Sequence, residues 1–188
     1  MEQSKVAMPH RYLGQTGLKV SCIGFGFSGT MDRTLLPELF KYAWENGITY
    51  FDNAEFYGMG QVETIFGNTL KDLNIPREDI VISTKIYFGK NIFQNDPDAN
   101  PAFGVNRLGL SRKHLIEGTN NSLRRMQLDY VDIIMAHRYD PDTPMEETCR
   151  AFDWLIKNGK ALYWGTSEWP AKKIWEVIGI CERLGLEK

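Results

Sequence analysis

The stretch FDNAEFYG, residues 51–58, ends an apolar run with a carboxylate, Asp52, and places a phenol, Tyr57, in the segment just beyond it. The run itself, 48–52, is continuous in apolar, β-branched and aromatic residues, as is typical of a strand that is buried on both faces. A carboxylate and a phenol placed in this way indicate the beginning of an acid/base site. The rest of the chain determines whether other strands bring polar groups to the same place.

Five runs of this kind alternate with five helical patterns. The predicted strands are 20–24, 48–52, 80–85, 130–136 and 161–165. The predicted helices are 35–45, 63–73, 111–127, 144–157 and 170–184. Lys85, His137 and Ser167 stand at or just past the ends of the last three strands. Strict alternation of strands and helices predicts a parallel α/β sheet, and segments 11–13 and 18–20 predict a small hairpin before it.

Several helix starts carry capping signals. Ser111 is positioned to cap the third helix, and Asp32 or Thr34 the first. The sequence TPME, residues 143–146, combines a capping box with a proline at the first helical position.

Composition limits the classes of partner. The chain has 188 residues, 43% of them hydrophobic, and 22 basic residues against 24 acidic ones. The net charge of −2 provides no field to attract nucleic acid or an anionic membrane, so a small neutral or weakly polar substrate is expected. Cys22, Cys149 and Cys181 form no CxxC pair, which predicts no metal site and favours a reducing cytoplasm. No run is long enough to insert into a membrane, and no signal peptide is predicted.

The connection 87–110 is much longer than the others and is rich in Asn, Pro, Gly and Asp. Long loops in compact domains are often functional, so a substrate loop is the preferred interpretation. A tolerated surface insertion remains the alternative.

Two cofactor-binding folds are alternative interpretations of this pattern of strands and helices. The sequence GFGFSG, residues 24–29, matches the G-x-G-x-x-G motif, and Asp52 follows near the spacing of a ribose-binding acid, as in a Rossmann domain. Residues 30–34, however, separate these glycines from the next helix, and no Tyr-x-x-x-Lys pair is present. In a β/α barrel, polar groups at all five strand ends would converge on one site, whereas a doubly wound sheet would scatter them along an edge. The barrel is therefore favoured.

Reduction of a carbonyl by hydride transfer needs a proton donor for the developing alkoxide. Tyr57 can be that donor, because the ammonium of Lys85 would stabilise the phenolate. Asp52 would hold Lys85 in place, and His137 would orient the carbonyl or relay the proton. Each residue alone is more often structural or solvated, and His137 beside Arg138 is compatible with a surface histidine. Four complementary groups at consecutive strand ends favour the functional interpretation.

Segments 51–58, 82–85, 131–138 and 163–169 closely resemble the aldo-keto reductases, and most of all their voltage-gated potassium channel β-subunit branch. The resemblance implies NADPH-dependent reduction of aldehydes or ketones on a TIM (β/α)₈ barrel. It implies a catalytic tetrad and a set of cofactor contacts. The tetrad is Asp52, Tyr57, Lys85 and His137, and the cofactor contacts are Gly26, Phe27, Ser28, Asp52, Ser167 and Glu168.

Three positions depart from the family pattern. Gly26-Phe27-Ser28 replaces the frequent Gly-Thr-Trp after the first strand, and Glu168 replaces the usual Asn or Arg. His137 occurs where some channel subunits carry Asn, which favours reductase chemistry over channel binding alone.

A complete barrel has about 250 residues. We therefore expect residues 1–188 to be a single incomplete aldo-keto reductase domain, truncated after about five βα units. We expect weak NADPH binding, impaired activity and a tendency of open sheet edges to self-associate. The alternatives to a reductase acting on a small carbonyl substrate are a channel β-subunit-like interaction protein or redox sensor, whose partner is a membrane channel, and an inactive half-barrel.

Overall fold

Residues 7–27, 32–89 and 104–188 are described by the computed structural model of this chain. A two-stranded antiparallel hairpin comes first, and a sheet of five parallel strands follows. The hairpin pairs β1 (His10–Tyr12) with β2 (Lys19–Ser21). The sheet contains β3 (Gly24–Gly26), β4 (Tyr50–Asp52), β5 (Val81–Ile86), β6 (Val131–Ala136) and β7 (Ala161–Thr166).

The spatial order of the parallel strands follows their order in the chain, β3-β4-β5-β6-β7. A doubly wound sheet reverses its strand order at a switch point, whereas a barrel adds each new strand to the same side. The sequential order therefore excludes the Rossmann alternative for the described sheet. It confirms five βα units of TIM-barrel type with an N-terminal hairpin.

Five α-helices follow the strands in the part of the chain that the structure describes. They are α1 (Leu36–Glu45), α2 (Gln61–Asp72), α3 (Arg112–Met126), α4 (Met145–Lys157) and α5 (Ala171–Leu184). Phe27, Phe40, Phe51 and Phe66 form an aromatic cluster between the sheet and the first two helices, each at most 1% exposed. The rings of Phe40 and Phe51 meet edge to face, with centroids 4.5 Å apart. Burying such rings stabilises the fold by about 1.5–3 kcal/mol each.

The first barrel strand lies later in the chain than predicted. Val20 pairs with Arg11 inside the hairpin, and the parallel strand is Gly24–Gly26. The prediction of 20–24 was wrong because an apolar run alone does not show whether its partner is antiparallel or parallel.

The capping predictions have mixed outcomes. Ser111 caps α3 by accepting a hydrogen bond from the backbone N–H of His114, as predicted. Helix α1 instead has Leu35 at its N-cap, and the Asp32 carboxylate accepts a hydrogen bond from the Thr34 backbone 3.0 Å away. The capping interpretations of Asp32 and Thr34 were therefore wrong.

The predicted capping box at 143–146 is also absent. Pro144 is the N-cap of α4 rather than its first helical residue, and no side chain caps this helix. The Thr143 hydroxyl donates to the Asp140 carboxylate, 2.7 Å away and three residues earlier in the chain, so a different local partner replaces the expected one.

Within the long connection 87–110, residues 90–103 lie outside the described residues, so the substrate-loop and surface-insertion interpretations stay predictions. Its far end forms a short 3₁₀ turn, Val105–Arg107. No helix in the described ranges has the length and apolar character to cross a bilayer.

Candidate active site

Strand register places Asp52 opposite Ser83 at the carboxyl edge of the sheet. The Ser83 hydroxyl donates to Asp52 Oδ1 over 2.5 Å. Side chains alternate along a strand, so Lys85, two residues after Ser83, projects from the same face of β5. Its four-carbon side chain therefore reaches the other oxygen of the same carboxylate.

The Lys85 ammonium is the centre of the site. Its Nζ donates to Asp52 Oδ2 at 2.5 Å, to the Asn53 backbone carbonyl at 2.9 Å and to the Tyr57 hydroxyl at 3.2 Å. An ammonium has three protons, and the three acceptors satisfy all of them. The Lys85 side chain is only 7% exposed, so the ion pair with Asp52 offsets the cost of removing the charge from water.

Tyr57 is held by a tight turn between β4 and α2. It begins the 3₁₀ segment Tyr57–Gly60, in which the three following residues have positive φ. Two of these are glycines, which adopt this conformation without strain, and the third is Met59. The turn reverses the chain directly into α2 and leaves the phenol beside Lys85.

His137 follows β6, and its backbone N–H donates to the Ile86 carbonyl over 3.0 Å. Its ring meets the Tyr57 ring edge to face, at 5.8 Å and 82°, and the Phe88 ring at 5.2 Å and 77°. Burial, and then the nearby charges of Lys85 and Arg138, lower the pKa of His137 to about 4. The imidazole is therefore neutral at pH 7 and can donate only one N–H.

The predicted cofactor residues have different environments. Gly26 is exposed, and nothing lies within 4 Å of the position that a Cβ would take. The Phe27 side chain is 1% exposed, so a contact with the cofactor stays a prediction for its backbone only. Ser167 is half-buried at the end of β7, where its N–H donates to the Ala136 carbonyl. Ser28 lies outside the described residues.

Glu168 adopts a left-handed backbone conformation, with φ of 54°. Its carboxylate lies 3.3 Å from the Arg138 guanidinium and remains largely exposed. The pair joins the loops after β6 and β7. The resemblance predicts an Asn or Arg side chain at position 168. Here that position carries a carboxylate, and the carboxylate is paired with a cation.

The four tetrad residues thus form one contiguous group, since Lys85 contacts Asp52 and Tyr57, and Tyr57 contacts His137. Two neighbours were missed from the sequence. Ser83 could have been predicted, because side chains alternate along a strand and this places Ser83 on the same face of β5 as Lys85. Glu55 lies inside the quoted motif, but nothing local shows that its carboxylate is buried.

A parallel sheet of βα-barrel type thus carries an aspartate, a lysine, a tyrosine and a histidine at its carboxyl edge. The Aldo/keto reductase family model matches residues 22–184, and the chain belongs to this family. Proteins described as probable or putative voltage-gated potassium channel β subunits are similar to it. The Arabidopsis thaliana protein is 44% identical over 183 residues, and the Schizosaccharomyces pombe protein 47% over 184.

Solved structures of aldo-keto reductases share the fold. A thermostable enzyme in complex with the inhibitor epalrestat superposes with a TM-score of 0.75 at 30% identity, covering 92% of this chain and 58% of that one. The holo form of a Bacillus halodurans enzyme gives 0.76 at 32% identity, covering 92% and 54%. The two channel-subunit relatives are matched over 95% of this chain and 52% and 51% of their own lengths. The chain therefore spans about half the length of the curated relatives it matches.

Proposed function

We propose that the chain carries the proton-donating half of an NADPH-dependent reductase of aldehydes or ketones. The observation that carries this proposal is the position of Lys85 Nζ, 2.5 Å from the Asp52 carboxylate and 3.2 Å from the Tyr57 hydroxyl. Such an arrangement stabilises a tyrosinate when Tyr57 gives up its proton.

In the proposed reaction, the hydride for the carbonyl carbon would come from NADPH when it is bound. Tyr57 gives its proton to the carbonyl oxygen, which becomes the hydroxyl of the product alcohol. Lys85 stabilises the phenolate that remains, and Asp52 keeps the ammonium charged and oriented. The neutral imidazole of His137 is suited to donating a hydrogen bond to the substrate oxygen, because a charged imidazolium would compete with Tyr57 as an acid.

The described residues fit a nicotinamide at this edge of the sheet. Gly26 leaves open space at the end of β3, and the Asp52 side chain is 27% exposed. Ser167, just past the end of β7, would hold the carboxamide. Phe27 would contribute only through its backbone, and Glu168 only if its pairing with Arg138 opens.

The test is the rate of NADPH oxidation with a panel of aromatic and aliphatic aldehydes, measured at high protein concentration. Tyr57→Phe removes the transferable proton and keeps the ring, so we expect a fall of about 10²-fold or more in turnover. Tyr42→Phe is the matched control, because Tyr42 is 69% exposed on α1 and should leave the rate unchanged. Equal rates for wild type and Tyr57→Phe would contradict the proposal, as would no oxidation with any carbonyl.

A second candidate function is that of a channel β-subunit-like interaction protein, with the cofactor site acting as a redox sensor. The identities of 41–47% to three proteins described as channel β subunits support it. The partner would be the cytoplasmic part of a membrane channel, and the proposed location of this chain is accordingly the cytoplasm. Co-purification with such a channel from detergent-solubilised membranes would support this function, and its failure together with Tyr57-dependent turnover would favour the reductase. An inactive half-barrel would show neither property.

A further inference from the structure

Glu55 and His114 form a buried pair next to the proposed site. Glu55 is 3% exposed and His114 is 4% exposed. Glu55 Oε1 accepts hydrogen bonds from the backbone N–H groups of Tyr87 and Gly89, at 2.7 and 3.0 Å. Its other oxygen lies 3.3 Å from His114 Nε2. We call this pair and its backbone partners the Glu55–His114 clamp.

The clamp joins the two ends of the long connection after β5. His114 Nδ1 lies 2.8 Å from the Gly109 carbonyl oxygen, at the far end, while Glu55 holds the near end. The Gly109 N–H also donates directly to the Tyr87 carbonyl over 2.8 Å. The backbone on both sides of residues 90–103 is therefore bound to one buried pair.

Two glycines make room for this arrangement. A Cβ on Gly118 would lie 3.1 Å from Glu55 Oε2, and one on Gly89 would clash with the Arg107 carbonyl oxygen. Gly89 also has a φ of +62°, which other residues adopt only with strain. Helix α3 can approach Glu55 closely because position 118 has no side chain.

The clamp also contacts the backbone that carries the tetrad. The Glu55 N–H donates to the Lys85 carbonyl over 3.1 Å, and Tyr57 is two residues further along the chain. Phe88 lies in the chain between Tyr87 and Gly89, whose N–H groups donate hydrogen bonds to Glu55. The Phe88 ring packs edge to face on the His137 ring. Glu55 therefore acts on the tetrad through the backbone and through its charge, which opposes the lowering of the His137 pKa.

We propose that Glu55 and His114 are positioning residues, which hold the loops after β4 and β5 together so that the Tyr57 hydroxyl stays within hydrogen-bonding distance of Lys85. The contribution to catalysis rests on the proposed function, whereas the effect on the distance between Tyr57 and Lys85 does not.

Charge strengthens the clamp while His114 is protonated. Burial disfavours the protonated form of His114, but the hydrogen bond and charge of Glu55, with smaller contributions from Gly109 and Glu117, raise its pKa overall. Arg107, Arg124 and Arg125 face the same cavity and oppose this effect at longer range. A raised pKa means that the charged pair stabilises the fold at low pH and loses this contribution as pH rises through the folded pKa.

The test uses NMR on the labelled 188-residue chain, comparing wild type with Glu55→Gln. Glutamine preserves size but cannot pair with imidazolium, so burial should dominate and the His114 pKa should fall below its wild-type value. We expect exchange of the Gly89 amide to accelerate at least about tenfold. NOEs between the Tyr57 ring and the Lys85 side chain should weaken or vanish.

Glu117→Gln is the matched control. Glu117 is an exposed carboxylate one helical turn from His114 and pairs with Lys113, so its removal should leave Gly89 exchange and the Tyr57–Lys85 NOEs unchanged. Unchanged Tyr57–Lys85 NOEs in a folded Glu55→Gln variant would overturn the positioning role. If Glu55→Gln does not fold, the wild type decides the question: the Gly89 amide and Tyr57 ring resonances must shift with the His114 titration, and their independence from it would overturn the proposal.

Turnover separates this inference from the proposed function. In an active chain, Glu55→Gln should lower kcat for carbonyl reduction at least about tenfold and change KM by less than about twofold, since a misplaced donor affects the transition state more than substrate binding. A wild type without turnover would contradict the reductase and leave the NMR result to decide the clamp. An active Glu55→Gln variant with wild-type kcat would overturn the positioning role alone.

Discussion

Lys85 shows how one side chain organises this site. Its three protons point to a carboxylate, a backbone carbonyl and a phenol, which belong to Asp52 at the end of β4 and to Asn53 and Tyr57 after it. A compact ammonium can serve three acceptors arranged around it, whereas a planar guanidinium favours two parallel partners. Arginine therefore cannot reproduce this arrangement without displacing Tyr57 or the Asn53 carbonyl.

His137 gives a prediction about pH at the same scale. Its pKa is about 4 in the folded protein, against an ordinary value of 6.5. Between these values the unfolded chain binds more protons than the folded one, so the free energy of unfolding falls as the solution is acidified. The loss of unfolding free energy between pH 7 and pH 5 should be smaller in His137→Gln than in wild type, by about 1–2 kcal/mol. Denaturant titrations at the two pH values measure this difference.

His10→Gln provides the control for that measurement, since His10 lies exposed in the hairpin. It should keep the wild-type difference between pH 7 and pH 5. If His137→Gln also keeps that difference, the imidazole is not held neutral by its surroundings.

At the scale of elements, helices α2 and α3 are joined to β5 by a buried carboxylate. Glu63 is fully buried and accepts hydrogen bonds from the Thr84 hydroxyl at 2.5 Å and from Arg125 Nε at 2.7 Å. Burial is the largest influence on its pKa and raises it, although Arg125 opposes the shift. Because Thr84 precedes Lys85, this network fixes the strand that carries the central ammonium.

The same two helices make a close contact that predicts the effect of adding a methyl group. A Cβ on Gly67 of α2 would clash with the Met126 carbonyl oxygen at the end of α3. Gly67→Ala should therefore lower the free energy of unfolding by about 1–3 kcal/mol, because rigid backbone has to move. Urea denaturation measures the change.

Gly179→Ala is the opposite case. Gly179 lies exposed in α5 with nothing within 4 Å of the added Cβ, so the better helix propensity of alanine should raise the stability by about 0.5–1 kcal/mol. If Gly67→Ala and Gly179→Ala changed the free energy of unfolding equally, the close approach of α2 and α3 would not depend on the missing side chain at position 67.

At the scale of the whole molecule, the described sheet has β3 and β7 at its edges. Tyr163 and Trp164 of β7 are only half-buried. About half the length of the matched relatives lies beyond the part that this chain covers.

We therefore expect a polypeptide of these 188 residues to bind NADPH weakly, without saturation up to ~100 μM, which corresponds to a binding free energy weaker than about −5.5 kcal/mol. Titration of nicotinamide fluorescence measures this directly. Tight, saturable binding would contradict the expectation and would show that the five described βα units hold the cofactor by themselves.

The sequence by itself determined the alternation of strands and helices, most of their bounds and the identity of the tetrad candidates. These follow from local periodicity and from motifs in which Asp52 and Tyr57 are only five residues apart. Ser111 is of the same kind, because its capping partner is three residues away.

Only the tertiary structure decided the sequential strand order, the position of β3, the buried neutral state of His137 and the Glu55–His114 clamp. The residues concerned lie far apart in the chain, as Asp52 and Lys85 do at a separation of 33 residues. Their distances depend on how strands pair and how closely helices approach, and the local pattern around each residue carries no information about either.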